Sequence, residues 1–413
     1  MSGVSIDGAA QILRPPRDGL DYLRLDGAAQ VCTDPGSLRL DGDVVAGFDR
    51  DARAALRLDA SGCAVVPGLV DCHTHLPFAG WREREYEQKI AGNSYEAIAR
   101  AGGGIRSSAR ALQDASDRAV LGQARELARE MLEHGTTTFE CKSGYGLSAA
   151  AETRSVRLAQ ALRGEVPQAV FSTALLAHAV PDGYDADSWM CEVESSLPEV
   201  LGAGKVQALD IYVESVAFDN EHLRTMGRLA AEHGLDLRAH VEQFNSNHSV
   251  PVAVDLGARS VDHLACLPVE EIPVLAASET AAVLLPGAEF LGDERVAPAR
   301  QLADAGAICV LASDLNPGTS PVLSMPLVIG LAVRRYRWSA REALVASTLN
   351  AAWVLRCSDR VGSLEAGKQA DIVVLDGPIE RIAYRLGHNP VACVFIAGEL
   401  QYLRPDCAWR LGS

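Results

Sequence analysis

The sequence predicts an α/β protein: a (β/α)8 TIM barrel carrying a small β-sandwich domain formed by both chain termini. Three observations predict it. Past residue 60, short apolar runs rich in Val, Leu, Ile and Ala alternate with stretches of helical length, the rhythm of a parallel sheet covered by crossover helices. Eight such runs occur over roughly 250 residues, the number that closes a barrel. Most of them end on a polar or ionisable residue, which a barrel gathers at one mouth and an open sheet would string along an edge.

The candidate strands are Ala64–Cys72, Thr136–Lys142, Ala169–His178, Gln207–Glu214, Leu235–His240, Ala258–His263, Ala281–Pro286 and Ile308–Asp314. Their C-terminal ends present His73 and His75, Lys142, His178, Glu214, His240, His263 and Asp314. Between the first two strands, Arg118–His134 sets Leu121, Ala124, Leu127, Ala128, Met131 and Leu132 at helical spacing and stops at Gly135, which tolerates a left-handed cap. The flanks lack this rhythm. Residues 1–64 and 361–413 carry short β-like runs with turns ("GDVVAGF", "ADIVVLD", "VACVFIAGEL"). Packed together, they form one small β-domain beside a barrel of residues 65–360. No internal repeat or low-complexity segment interrupts this plan.

Composition narrows the function. A chain of 413 residues, 48% hydrophobic and 22% charged, has ample material for a large core. Its formal charge of −16 argues against nucleic acid or an anionic membrane as partner, because both need clustered Lys and Arg. A small-molecule substrate is expected instead. The N-terminus has no basic segment followed by an apolar one, and no apolar run reaches membrane-spanning length, which predicts a cytoplasmic protein. Ten cysteines are scattered without a C-x-x-C pair and read as buried free thiols.

In a strand, positions i and i+2 share a face, so His73 and His75 of "VVPGLVDCHTH" can both aim at the barrel axis. Two neutral imidazoles so placed suit zinc or iron(II). Alone, the pair is explained as well by structural histidines. The further strand ends His240, His263 and Asp314 change the balance: a catalytic zinc keeps three or four protein ligands and an open position, and His73, His75, His240 and Asp314 would supply that shell. Asp314, in "VLASDLNPGTSP", could instead cap the Asn-Pro-Gly turn. As ligand or general base it completes a set that otherwise lacks an anion. His263, in "RSVDHLAC", reads either as a core histidine or as a group beside the metal that polarises a carbonyl. "AGGGIRSS" at Ala101–Ser108 is glycine-rich but lacks the P-loop Lys-Ser/Thr, and a mobile loop over the mouth is expected there. No Gly-x-Ser-x-Gly elbow occurs.

With these residues the chain resembles the amidohydrolase superfamily, on "PGLVDCHTH" at Pro67–His75 and "GSLEAGKQADIVVLD" at Gly362–Asp376. Within it, the chain is similar to the imidazolonepropionase family, which opens 4-imidazolone-5-propanoate to N-formimidoyl-L-glutamate in histidine degradation. The similarity covers most of the chain, through "HTHLPFAGWREREYE", "SYEAIARAGGGI", "TTTFECKSGYGL", "LAHAVP", "VDHL", "AAVLLPGAEF" and "SDLNPGTSP". The resemblance implies one Zn2+ or Fe ion per subunit, held by His73, His75, His240 and Asp314, with no carboxylated lysine. It implies substrate contacts from Arg82, Tyr95, Tyr145, His178 and Asn316, with Arg82 pairing the propionate, and a homodimer. A guanidinium fork matches a carboxylate with two hydrogen bonds.

The chain departs from the family after His240, where it reads "HVEQFNSNHSVPVAV". Gln243 stands where some members carry a glutamate thought to move a proton. A neutral amide cannot act as a base, so that role would pass to Asp314 or His263. The same segment, which adds Asn245 and His248, leaves open a related substrate, a hydantoin, thiohydantoin or other carboxylate-bearing cyclic amide or amidine. A catalytically dead barrel scaffold is the remaining alternative.

Overall fold

The structure, a computed structural model, describes residues 3–93, 98, 102–292 and 295–412. At its centre stand eight parallel strands in sequential order: β1 (Leu69–Asp71), β2 (Thr136–Lys142), β3 (Ala169–Ala177), β4 (Ala208–Tyr212), β5 (Asp236–Val241), β6 (Ser260–His263), β7 (Ala281–Leu284) and β8 (Cys309–Leu311). Helices separate them, as the alternating pattern predicts. The helix before β2 spans Asp117–Glu133, is capped by Ser116, and buries Val120, Ala124, Leu127, Ala128, Met131 and Leu132. It stops before Gly135, whose φ is +91°.

The barrel closes beyond the ends of β1 and β8. There Asp314 N donates to His73 O and His75 N to Leu315 O, each at 2.9 Å. This seam brings the His-Thr-His segment against Asp314, residues far apart in the chain. Every residue of β2 is buried. Phe139 and Cys141 pack outward against the helical layer, whereas Glu140 and Lys142 alternate with them and carry their charges into an ionic network, as the two-residue period of a strand requires.

Both termini build the extra β-structure. One five-stranded sheet contains Val4–Ala9, Gly36–Asp41, Val44–Gly47, Leu56–Asp59 and Leu411–Gly412; the other contains Gln11–Ile12, Ala64–Pro67, Ile372–Leu375, Val391–Ile396 and Glu399–Leu403. A shared core that includes Ile6, Leu38, Leu58, Val65, Ile372 and Phe395 holds them face to face. The single strand expected at Ala64–Cys72 is therefore two. Ala64–Pro67 pairs antiparallel with Ile372–Leu375, and Leu69–Asp71 joins the barrel. Gly68 marks the break: its N–H donates to Asp371 O, and a Cβ there would lie 2.2 Å from Thr137 Oγ1. The loop expected over the mouth at Ala101–Ser108 is corrected in its second half, where a helix begins at Ile105 and runs to Asp114; Ala101 lies outside the described residues. Among the described residues no helix is long and apolar enough to cross a membrane.

Candidate active site

Five ionisable side chains meet at the C-terminal mouth of the barrel. His73 and His75 follow β1, His240 lies in β5, His263 ends β6 and Asp314 follows β8. Asp314 Oδ1 lies 3.4 Å from His73 Nε2 and 3.2 Å from His75 Nε2. The His73 and His240 ring centroids are 4.5 Å apart, and those of His240 and His263 are 5.3 Å apart. The backbone is strained here: His263 and Asp314 sit at φ of +83° and +56°, where a side chain costs roughly 1–2 kcal/mol. The inter-strand hydrogen bond from Asp314 N holds the second of these in place.

The donor set fits a cation. His73 Nε2, His240 Nε2, His75 Nδ1 and both Asp314 oxygens are buried without a hydrogen-bond partner, and each such atom costs about 1–3 kcal/mol unless something satisfies it. His73, His75 and Asp314 form one triple with donor atoms within 4.8 Å of one another; His73, His240 and His263 form a second. The four expected ligands thus fall into two groups joined at His73, and His263 stands with His240 in the second. Burial lowers His75 to about 4 and His263 to about 3, and it also lowers His240. Neutral imidazole is the form that binds metal. Burial and Lys142 act in the same direction on His73, but Asp262 and Asp314 outweigh them and raise it. Asp314 is held well below the usual carboxylate range because the imidazoles of His73 and His75 beside it outweigh its burial.

Beneath these donors lies a charged layer that the motif reading missed. Asp262 Oδ2 is 2.5 Å from His73 Nδ1, and Asp210 Oδ1 is 3.0 Å from His240 Nδ1. Each carboxylate accepts the Nδ1 proton and leaves Nε2 as the free lone pair. Burial would raise both carboxyls. His240 and Lys142 act on Asp210, and Arg238 and His73 on Asp262, to keep them ionised. Lys142 Nζ lies 2.6 Å from Asp210 and 3.1 Å from Glu140. Arg238 donates to Glu140, to Asp262 at 3.0 Å, to Ser260 Oγ at 2.9 Å and to Cys72 O at 2.8 Å. Lys142 was expected at the mouth; it serves in this floor instead. Glu214, expected there too, ties down the segment after His240, accepting from Phe244 N at 3.0 Å and from Asn245 Nδ2 at 2.7 Å.

A cavity opens above the donors. Arg82, Tyr145, His178, Gln243 and Asn316, all singled out in the sequence, line it with His75, His240, His263 and Asp314. Tyr95 lies outside the described residues. The cavity also takes in Tyr212, Phe244, Ile105 and Thr319, of which Tyr212 was foreseeable: two residues after Asp210 in β4, it shares that residue's inward face. Tyr145 sits in a loop whose Gly144, Gly146 and Leu147 amides donate to the Glu152 carboxylate. The His178 ring stacks on His75 with centroids 5.2 Å apart. Asn245 and His248 do not line the cavity; His248 turns to Glu271, 2.6 Å away.

Comparison with known proteins gives the family and the fold. The model of the amidohydrolase family matches residues 64–400. The chain is 42% identical to the imidazolonepropionase of Herpetosiphon aurantiacus over 355 residues, 83% of each chain. It is 42% identical to that of Rubrobacter xylanophilus over 387 residues, 91% of this chain and 92% of the other. Among solved structures, an adenosine deaminase from Xanthomonas campestris with bound zinc shares the fold, with a TM-score of 0.66 and 18% identity over 97% of this chain and 93% of that one. By its matched length and its relatives, the chain belongs to the imidazolonepropionases of the amidohydrolase family.

Proposed function

We propose that the protein hydrolyses the ring amide C–N bond of 4-imidazolone-5-propanoate, yielding N-formimidoyl-L-glutamate. One observation carries this reading: the guanidinium of Arg82 and the buried donors around Asp314 line the same cavity, so a carboxylate-bearing ring can reach both. His73, His75, His240 and Asp314 would hold one Zn2+ or Fe ion per subunit, with His263 beside them. Such an ion acts as a Lewis acid and brings the pKa of water toward about 7.

The chain's own residues do the rest. Arg82 pairs the propionate through two N–H groups, while Tyr145, His178 and Asn316 wall the ring so that the carbonyl carbon faces the attacking water. Asp314 takes the water's proton and passes it to the leaving ring nitrogen. His263, neutral at physiological pH, donates its N–H to the carbonyl oxygen as charge develops there. Gln243 cannot accept a proton as a base; its amide positions the ring. A cytoplasmic homodimer is part of the same reading, supported by the family likeness.

The test is turnover of imidazolonepropionate by purified, metal-loaded protein, beside carboxylate-bearing hydantoins and thiohydantoins. Imidazolonepropionate should be preferred by at least about a hundredfold in kcat/KM. A large preference for one of the analogues would overturn the assignment, and a metal-free, inactive protein would favour a scaffold.

A further inference from the structure

We propose that Gly318 is a positioning residue: it seats the Arg82 guanidinium and so sets the preference for a carboxylate-bearing substrate. The inference rests on the reading of Arg82 given above. Arg82 immediately precedes the helix Glu83–Ile90, none of whose residues is buried, so that helix fixes its side chain little. An arginine carries about 2 kcal/mol of rotamer entropy, and an unconstrained one makes a poor carboxylate clamp. Yet the Arg82 side chain is only 9% exposed.

Its constraint comes from across the seam of the barrel. Arg82 N donates to Pro317 O at 3.0 Å, which brings the start of the helix to the loop after Asp314. The guanidinium then lies directly over Gly318. A Cβ on Gly318 would stand 1.9 Å from Nη2, 2.0 Å from Cζ and 2.5 Å from Nε of Arg82. Around the edge, Nε is 3.1 Å from Glu85 Oε2 and Nη1 donates to Ser108 Oγ at 3.4 Å.

Two facts assign the need for glycine to Arg82 rather than to the turn. Gly318 does not have a positive φ, so an alanine suits its backbone. The loop also cannot draw back from a new methyl, because Asn316 Oδ1 accepts from Gly318 N at 2.8 Å and from Thr319 N at 2.7 Å. The guanidinium must therefore give way. Fork recognition of a carboxylate is directional, and a misplacement of about 1 Å can cost on the order of a hundredfold.

A double-mutant cycle on the metal-loaded enzyme tests this, using imidazolonepropionate and its uncharged propanamide analogue. Arg82→Ala and Gly318→Ala are each expected to raise KM for the carboxylate substrate at least about tenfold, with kcat within about threefold. Activity on the amide analogue should fall by a clearly smaller factor than activity on the carboxylate substrate in both variants. Once Arg82 is removed, Gly318→Ala should add nothing, so that the double variant matches Arg82→Ala. An unchanged KM in Gly318→Ala, penalties that multiply in the double variant, or an equal loss on the amide analogue would overturn the inference. If Arg82→Ala itself leaves KM unchanged, the carboxylate assignment fails, a separate result. Should Gly318→Ala not fold, the double variant should fold with the thermal midpoint of Arg82→Ala; if that variant also fails, Gly318 serves the loop and the inference is wrong.

Discussion

Asp262 Oδ2 lies 2.5 Å from His73 Nδ1, and both side chains are fully buried. The carboxylate selects the tautomer that turns Nε2 of His73 toward the other donors, and Arg238 and Lys142 keep the carboxylate ionised. Asp262→Asn retains the shape but loses that charge. Metal affinity should fall about 10–100-fold, read by competition with a chromogenic chelator. An unchanged affinity would mean that the pair serves folding alone. Asp210→Asn should act alike through His240.

His73 belongs to both donor triples, so its loss should be the most complete. His73→Ala is expected to lose bound metal and turnover together, with kcat/KM reduced by at least about a thousandfold. Chelator-treated wild-type protein should recover on adding Zn2+ or Fe2+; His73→Ala should not. Metal content by atomic spectroscopy alongside rate decides it, and full turnover by metal-free His73→Ala would end the proposal.

The cluster of His73, His75, His240 and Asp314 was legible as a cluster because each terminates, or nearly terminates, an apolar run, where a barrel exposes side chains at one mouth. β2 was legible to the residue, Thr136–Lys142, because an unbroken buried run bounded by Gly135 leaves little choice. Asp210, Asp262, Glu140 and Arg238 were not. They sit inside strands, and only partners far away in the chain, such as His73 for Asp262, make them affordable in the interior. Their one local trace is an ionisable residue inside an apolar run, as in "ALDIY". The break at Gly68 escaped for a related reason: the glycine is required by Thr137 on the neighbouring strand, a contact no local pattern encodes.

That contact gives a stability prediction. A methyl on Gly68 would meet Thr137 Oγ1 at 2.2 Å, Cγ2 at 2.7 Å and Cβ at 2.9 Å, all in a fully buried setting. Gly68→Ala should destabilise by about 1–3 kcal/mol, the usual cost of overpacking. Adding Thr137→Ala, which removes the two nearest atoms, should return part of the loss. Denaturant unfolding of the two variants measures both effects, and no rescue by the second substitution would point to backbone strain rather than collision.

Glu289 supplies a pH dependence away from the histidine cluster. Burial pushes its carboxyl up to about 7, against a hydrogen bond from Ala297 N that acts the other way. In the unfolded chain the same group titrates near 4.5. From about pH 4.5 to about pH 7 the folded protein therefore keeps a proton that the unfolded chain has released. Stability from this group is fully present below that window and is lost as pH rises through it. Glu289→Gln has no proton to lose. Its unfolding free energy should fall less than the wild type's between pH 5 and pH 8, by on the order of 3 kcal/mol, in urea titrations at matched ionic strength. Parallel profiles would show that the carboxyl reaches solvent. A variant that loses more than the wild type as pH rises would reverse the sign and refute the burial that raises this group.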